Sequence, residues 1–270
     1  MNKLNFGCGS RIAKGWLNVD FVPSKDVQGI NLLTKLPYED HTFDVVYSSH
    51  VLEHFTLEQC KNILLEVRRI LKPNGIIRIA VPNLEETCRE YMRILSMPDE
   101  TPNKNLYYEW IMVELLDQMV RMKSGGLVDS TIKKMLTTPD TALRDYIVSR
   151  TKFSSSGSVK PLPKWKRFLH TPPRKYRYLL FKAYLKAISR LIPKKLRQTI
   201  MAETSIGERH QWMYDNYGMR TLLEQVGFMN CRNLAYNESD IPSFNQDALD
   251  CNADGTPYKG NTIYVEGNAR

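Results

Sequence analysis

This sequence has no Cys-x-x-Cys pair, no apolar run of bilayer length and no internal repeat. Its five cysteines, Cys8, Cys60, Cys88, Cys231 and Cys251, are odd in number and scattered. That excludes a zinc ribbon and a disulfide framework and points to a reducing, cytoplasmic compartment. No segment approaches the ~20 apolar residues of a membrane helix. The first strand, starting near Lys3, is read as leaving no room for a signal peptide. Acids are missing from one long stretch: between 152 and 200 stand 14 Lys and Arg and no Asp or Glu. The net charge of +9 belongs to that stretch, because the rest of the chain holds 24 basic against 29 acidic residues. Charge so one-sided suits a polyanionic partner, lipid headgroups or nucleic acid, for that segment rather than for its flanks.

What is present is an alternation of short apolar runs and helical stretches. Leu4 to Gly7, Leu17 to Phe21, Ile30 to Leu33, Val45 to Ser48 and Ile76 to Val81 read as parallel strands. Thr56 and Gln59 form a capping box for a helix carrying Cys60, Leu64, Val67 and Leu71, which Pro73-Asn74-Gly75 stops. Asn83 and Glu86 open another helix. After Ser96 the rhythm gives way to helical patterns near Leu106 to Lys123, Ser130 to Leu136 and Pro139 to Arg150. It resumes with a helix from Tyr214 to Val226, closed by Gly227, and strands at Cys231 to Tyr236 and Thr262 to Glu266.

The richest stretch is Leu4-Asn5-Phe6-Gly7-Cys8-Gly9-Ser10, followed by Asp20 at the end of the next apolar run. Glycines at the carboxyl edge of the first strand let a ligand approach backbone, and a carboxylate one strand over can accept both hydroxyls of a ribose. A dinucleotide site would use G-x-G-x-x-G with an acid about 20 residues on. Here Ile12 stands at the third glycine and Asp20 comes early, so the pattern favours a nucleoside over a pyrophosphate.

These residues, with Gly15-Trp16-Leu17-Asn18-Val19-Asp20, Phe43 to His54 and Glu66 to Gly75, resemble the ordered motifs of class I S-adenosylmethionine-dependent methyltransferases of the type 11 kind. The likeness covers residues 3 to 83 and returns from about 207 to 266. It implies an α/β fold, a Rossmann-like methyltransferase sheet with helices on both faces and a mainly helical insertion. The cofactor-binding domain is then 1–96 with 207–270, and 97–206 is a basic acceptor-binding or membrane-facing insertion. S-adenosyl-L-methionine is the implied cofactor. Its implied contacts are Phe6, Gly7, Cys8 and Gly9 at the glycine turn, Asp20 at the ribose, Asn31 and Leu32 at the adenine, and Ser48 and His50 beside the methionine moiety. Two features depart from the family: Asn5 replaces a frequent acid, and the first helix is squeezed into Ser10 to Lys14.

A hydroxyl acceptor must lose a proton during methyl transfer, and an imidazole suits that work near neutrality. His54 is the base candidate and His210, on the segment returning from the insertion, a second. If the chain turns helical after the fourth strand, His50, Glu53 and His54 share one face. That triplet has residue types able to hold a divalent ion; a metal-free base is preferred, because no further acidic cluster stands nearby. Glu114, Asp117, Gln118 and Arg121 form a stripe on an otherwise apolar helix, either an ordinary solvated face or the border of a polyhydroxyl acceptor with Trp110 as a stacking surface. Tyr176 to Ile192 has the pattern of an interfacial helix. Segments from Ile241 to Lys259 are similar to methyltransferases of glycan biosynthesis. The acceptor expected is a saccharide or lipid-linked glycan, with peripheral contact of 152–200 to the anionic inner face of the membrane. The alternatives are an RNA methyltransferase and a non-catalytic S-adenosylmethionine-binding module.

Overall fold

The structure, a computed structural model, describes residues 1–121, 125–151, 184 and 209–270. Seven strands form one sheet: β1 (Lys3–Phe6), β2 (Leu17–Asp20), β3 (Gln28–Gly29), β4 (Phe43–Ser49), β5 (Leu71–Pro82), β6 (Phe228–Leu234) and β7 (Thr262–Ala269). Their order is β3-β2-β1-β4-β5-β7-β6, with β7 antiparallel to both its neighbours and the other pairings parallel. The order reverses between β1 and β4, which opens a crevice at their carboxyl ends. This is an α/β Rossmann-like fold.

Alternate strand residues feed two cores. Leu4, Phe6, Val46 and Ile77 pack with α1 (Leu57–Ile70) and α6 (Asn216–Gln225) on one face. Both helices start on satisfied donors: Thr56 and Gln59 make the expected capping box, and Asp215 accepts from the Gly218 amide. Val45, Tyr47 and Trp16 pack on the other face against Ile241, Leu249 and Phe244, the last in a 3-10 turn, Phe244–Asp247. That cover is locked by Arg78, fully buried, which donates to Asp250 at 2.7 Å, to Glu266 at 2.8 Å and to the carbonyls of Ala235, Tyr236 and Glu238. A guanidinium this deep is held by two carboxylates that offset its lost hydration.

Two expected elements are displaced. Ile30 to Leu33 is not a strand; the third strand ends at Gly29, because Asn31 accepts the Leu33 amide through its own side chain and turns the chain. Ser10 to Lys14 forms turns instead of a helix. There the buried Asn5 side chain donates to the Arg11 carbonyl at 3.0 Å and to Asn18 Oδ1 at 2.9 Å, and Asn18 in turn grips Ala13 and Trp16. An acid at position 5 could make neither donation, so Asn5 belongs with the missing helix.

Beyond α2 (Leu84–Leu95), α3 (Lys104–Val120), α4 (Val128–Leu136) and α5 (Thr141–Thr151) share a core of Trp110, Ile132, Met135, Leu143 and Ile147. The polar stripe of α3 faces inward. Glu114 accepts from Trp110 Nε1, from two nitrogens of Arg150 and from Asn261 at the foot of β7; Asp117 is buried and accepts the Leu127 amide. Neither the solvated face nor a stacking role for the buried Trp110 survives. No helix among the described residues is long and apolar enough to cross a membrane. The interfacial helix and the 14 basic residues lie outside the described residues, Tyr184 excepted.

Candidate active site

Two adjoining clefts open at the carboxyl edge of the sheet and meet at Gly7 and His50. The larger, about 730 Å³, is walled by Asp20, Phe21, Ile30, Asn31 and Leu32 on one side and by His54, Met119, Arg209, His210 and Gln211 on the other. The smaller, about 210 Å³, is walled by Cys8, Gly9, Arg11, Ser49, Tyr258 and Lys259. Gly7 turns at φ +63°, and a Cβ there would run into the Val51 side chain, so only glycine fits. Gly9 follows at φ +53°; its amide donates to Asp20 Oδ2 at 2.9 Å, and Val22 N–H donates to Oδ1. Asp20 thus braces the glycine turn while lining the cleft.

Of the other expected cofactor contacts, Asn31, Leu32 and His50 line the larger cleft and Cys8 the smaller. Burial pushes the Cys8 thiol up to about 11, which keeps it protonated. Phe6 and Ser48 line neither cleft. Both side chains are buried, and the strand's two-residue alternation gives the wall to Tyr47 and Ser49 instead.

β4 runs into His50, which sits at φ +55°, and the chain then makes a 3-10 turn, Leu52–His54, in place of the helical face expected for His50, Glu53 and His54. The return segment is strapped onto this turn: Gln211 and Trp212 N–H donate to the Glu53 carbonyl, Gln211 Nε2 to the His54 carbonyl, and His210 N–H to the Gln118 carbonyl on α3. The strap stacks His210 edge-on against His54, ring centroids 5.0 Å apart, over a buried Glu53. One ligand-type atom from each of Glu53, His54 and His210 lies within 4.8 Å of the others.

The charges here are unusual. His54 Nδ1 faces the Arg209 carbonyl at 3.3 Å, a pairing that requires N–H there, so in the neutral ring the lone pair falls on Nε2. Burial lowers His50, though its contact with Glu53 opposes this, and burial takes His210 down to about 4. Burial works against the Glu53 carboxylate, but contact with His50 outweighs it and holds the group below its usual range. His50 Nδ1 lies 3.3 Å from Glu53 Oε1 without hydrogen-bond alignment, and neither Glu53 oxygen receives a hydrogen bond among the described residues. At the far end burial lowers Lys259, while Arg11 lies over the Tyr258 ring at 3.9 Å. No local pattern announces this basic corner, since Arg11 and Lys259 lie at opposite ends of the chain.

A nucleoside carrying an amino acid fits this arrangement. Asp20 offers acceptors for ribose hydroxyls, Phe21, Ile30 and Leu32 an apolar wall for a base, and Arg11 with Lys259 cations for a carboxylate. Residues 4–79 match the profile of a family described as methyltransferase domain. An uncharacterized protein of Haemophilus influenzae is 38% identical over 71 residues, 25% of this chain and 28% of that protein, so the chain spans under a third of this relative's length. Among solved structures, the chain is similar to the CurJ carbon methyltransferase, at 10% identity and TM-score 0.39 over 100% of this chain and 48% of that one. A second similar structure is an S-adenosylmethionine-dependent methyltransferase from Thermotoga maritima, at 10% identity and TM-score 0.38 over 100% of this chain and 82% of that one. Residues 4–79 thus carry the pattern of a methyltransferase domain, laid on the first strands of a sheet of Rossmann-like order.

Proposed function

We propose that this protein transfers the methyl group of S-adenosylmethionine to a hydroxyl of a saccharide or lipid-linked glycan during surface-polysaccharide assembly. The cofactor supplies an electrophilic methyl group; the chain must hold it, orient the acceptor and take the hydroxyl proton. Asp20, the glycine turn and the Arg11–Lys259 corner serve the first task. The observation that supports a hydroxyl acceptor is the setting of His54: its Nδ1 is committed to the Arg209 carbonyl, which makes Nε2 the lone-pair nitrogen of the neutral ring, on a residue lining the large cleft. The Glu53–His54–His210 cluster is therefore where the proton leaves the acceptor. In this reading α3 to α5 belong to an acceptor-binding insertion, which presents Met119 to the cleft, and residues 152–200 attach the enzyme to an anionic membrane surface beside a lipid-linked acceptor.

Asn5 bears on the non-catalytic alternative. Its departure from an acid is accounted for by the loop it staples, and Asp20 and the glycine turn keep their places. Incubation of the full chain with methyl-labelled cofactor and fractionated glycan, lipid and RNA extracts tests the proposal. Label in glycan or glycolipid supports it. Label in RNA alone, or in no fraction while the cofactor binds, refutes it.

A further inference from the structure

Glu53 poses a problem that methyl transfer by an imidazole base does not solve. Its side chain is 1% exposed, and neither oxygen accepts a hydrogen bond from the described residues. A buried carboxylate left so costs several kcal/mol unless a cation sits beside it. His50 does not fill that need: its Nε2 faces the Thr262 hydroxyl at 3.1 Å, and its Nδ1 stands 3.3 Å from Glu53 Oε1 without hydrogen-bond alignment. Lys259 feels the Glu53 charge, but no direct bond joins the two among the described residues; His54 and His210, also beside the carboxylate, are nitrogen donors on the wall of the large cleft.

We infer that Glu53, His54 and His210 form a binding site for a divalent cation. Two imidazole nitrogens and one carboxylate oxygen are the donor set of a borderline ion such as Zn²⁺, Mn²⁺ or Fe²⁺ rather than of Ca²⁺. At bond lengths of about 2.1 Å tetrahedral ligand atoms stand about 3.4 Å apart. Here they lie within 4.8 Å, so small side-chain rotations close the set. The tautomer of His54 already directs Nδ1–H to a carbonyl, the usual outer contact of a metal-bound imidazole. Three protein ligands leave positions open toward the cleft, where two neighbouring hydroxyls of an acceptor can bind together. The site deepens the proposed transfer to a hydroxyl by naming what would hold the acceptor oxygen, with His54 Nε2 then a ligand to the ion instead of the free base, but its existence does not rest on that proposal.

The test is calorimetric titration of Mn²⁺ and, separately, Zn²⁺ into the chelator-treated full chain, without cofactor or acceptor, beside Glu53→Gln. One ion per native chain is expected, with binding weakened at least about tenfold in the variant. Should Glu53→Gln fail to fold, His54→Gln, on the more exposed of the two rings, takes its place with the same expectation. A native chain that binds neither ion more tightly than about 1 mM, or folded variants that bind as the native chain does, would overturn the inference. A chain that binds the ion yet labels no glycan keeps the cation site and loses the acceptor proposal. Glycan methylation undiminished in chelator, with no ion bound, keeps the acceptor and removes the site.

Discussion

Replacing Asn5 by aspartate, the acid that many similar methyltransferases carry there, should harm this protein more than cutting the side chain back to alanine. Asn5 is 1% exposed and donates twice, to the Arg11 carbonyl and to Asn18 Oδ1. Asn5→Ala forfeits two hydrogen bonds of about 1 kcal/mol each and leaves the Arg11 carbonyl without that donor, about 2–3 kcal/mol in all. Asn5→Asp forfeits the same bonds and sets a buried carboxylate against two oxygens, about 3–5 kcal/mol. For a chain of this size that is a fall of roughly 6–20 °C in melting temperature. The sign with pH follows: the introduced carboxyl has its folded pKa raised by burial, so the deficit is complete above that pKa and shrinks as pH falls toward the unfolded value of about 3.9. Urea unfolding of the three proteins at neutral pH and near pH 5 measures both. If Asn5→Asp is as stable as Asn5→Ala, or its deficit grows on acidification, the account of the stapled loop is wrong.

Asp20→Ala should weaken S-adenosylmethionine binding roughly tenfold to a hundredfold, about 1.5–3 kcal/mol; calorimetry on the folded variant decides, and equal binding would remove Asp20 from the site. His54→Ala should lower turnover by roughly a hundredfold with little change in cofactor affinity, which steady-state rates and cofactor titration separate. Arg69 holds Glu66 and the more exposed Asp40 below their usual range by direct hydrogen bonds. Because those folded pKa values are depressed, the stabilisation is present above about pH 4.3 and is lost as pH falls through the lowered values. Unfolding curves of Arg69→Met should therefore lie below the native ones at neutral pH and converge with them in acid; parallel curves down to pH 2–3 would refute this.

Local signals carried most of the fold. Thr56 with Gln59, and Asn83 with Glu86, are short-range contacts whose meaning is complete within four residues, and both caps form as their spacing predicts. The third strand was misplaced because Ile30 and Leu32 are apolar for the core's sake, while the Asn31 turn between them ends the ladder. The first helix was misjudged because Asn5 and Asn18, ordinary polar residues in strand sequence, meet only when β1 and β2 pair. In the site, the glycine turn and Asp20 were legible from spacing. The partnership of Glu53 with His210 was not: it depends on a backbone strap between residues more than 150 positions apart, and no periodicity reports such a contact. Arg11 and Lys259 were missed for the same reason.

Glu114 has a consequence for how such an enzyme can change over evolutionary time. Its carboxylate gathers donors from α3, α5 and the foot of β7, so α3 is moored to the sheet by one side chain on one of its faces. Met119, five positions further along, reaches the cleft from a different face of the same helix. Mutations at Met119 can reshape what the cleft admits while the mooring keeps its ties to Arg150 and Asn261. Selection is then free to explore new acceptors at the tip of α3 without loosening the framework that holds the cofactor.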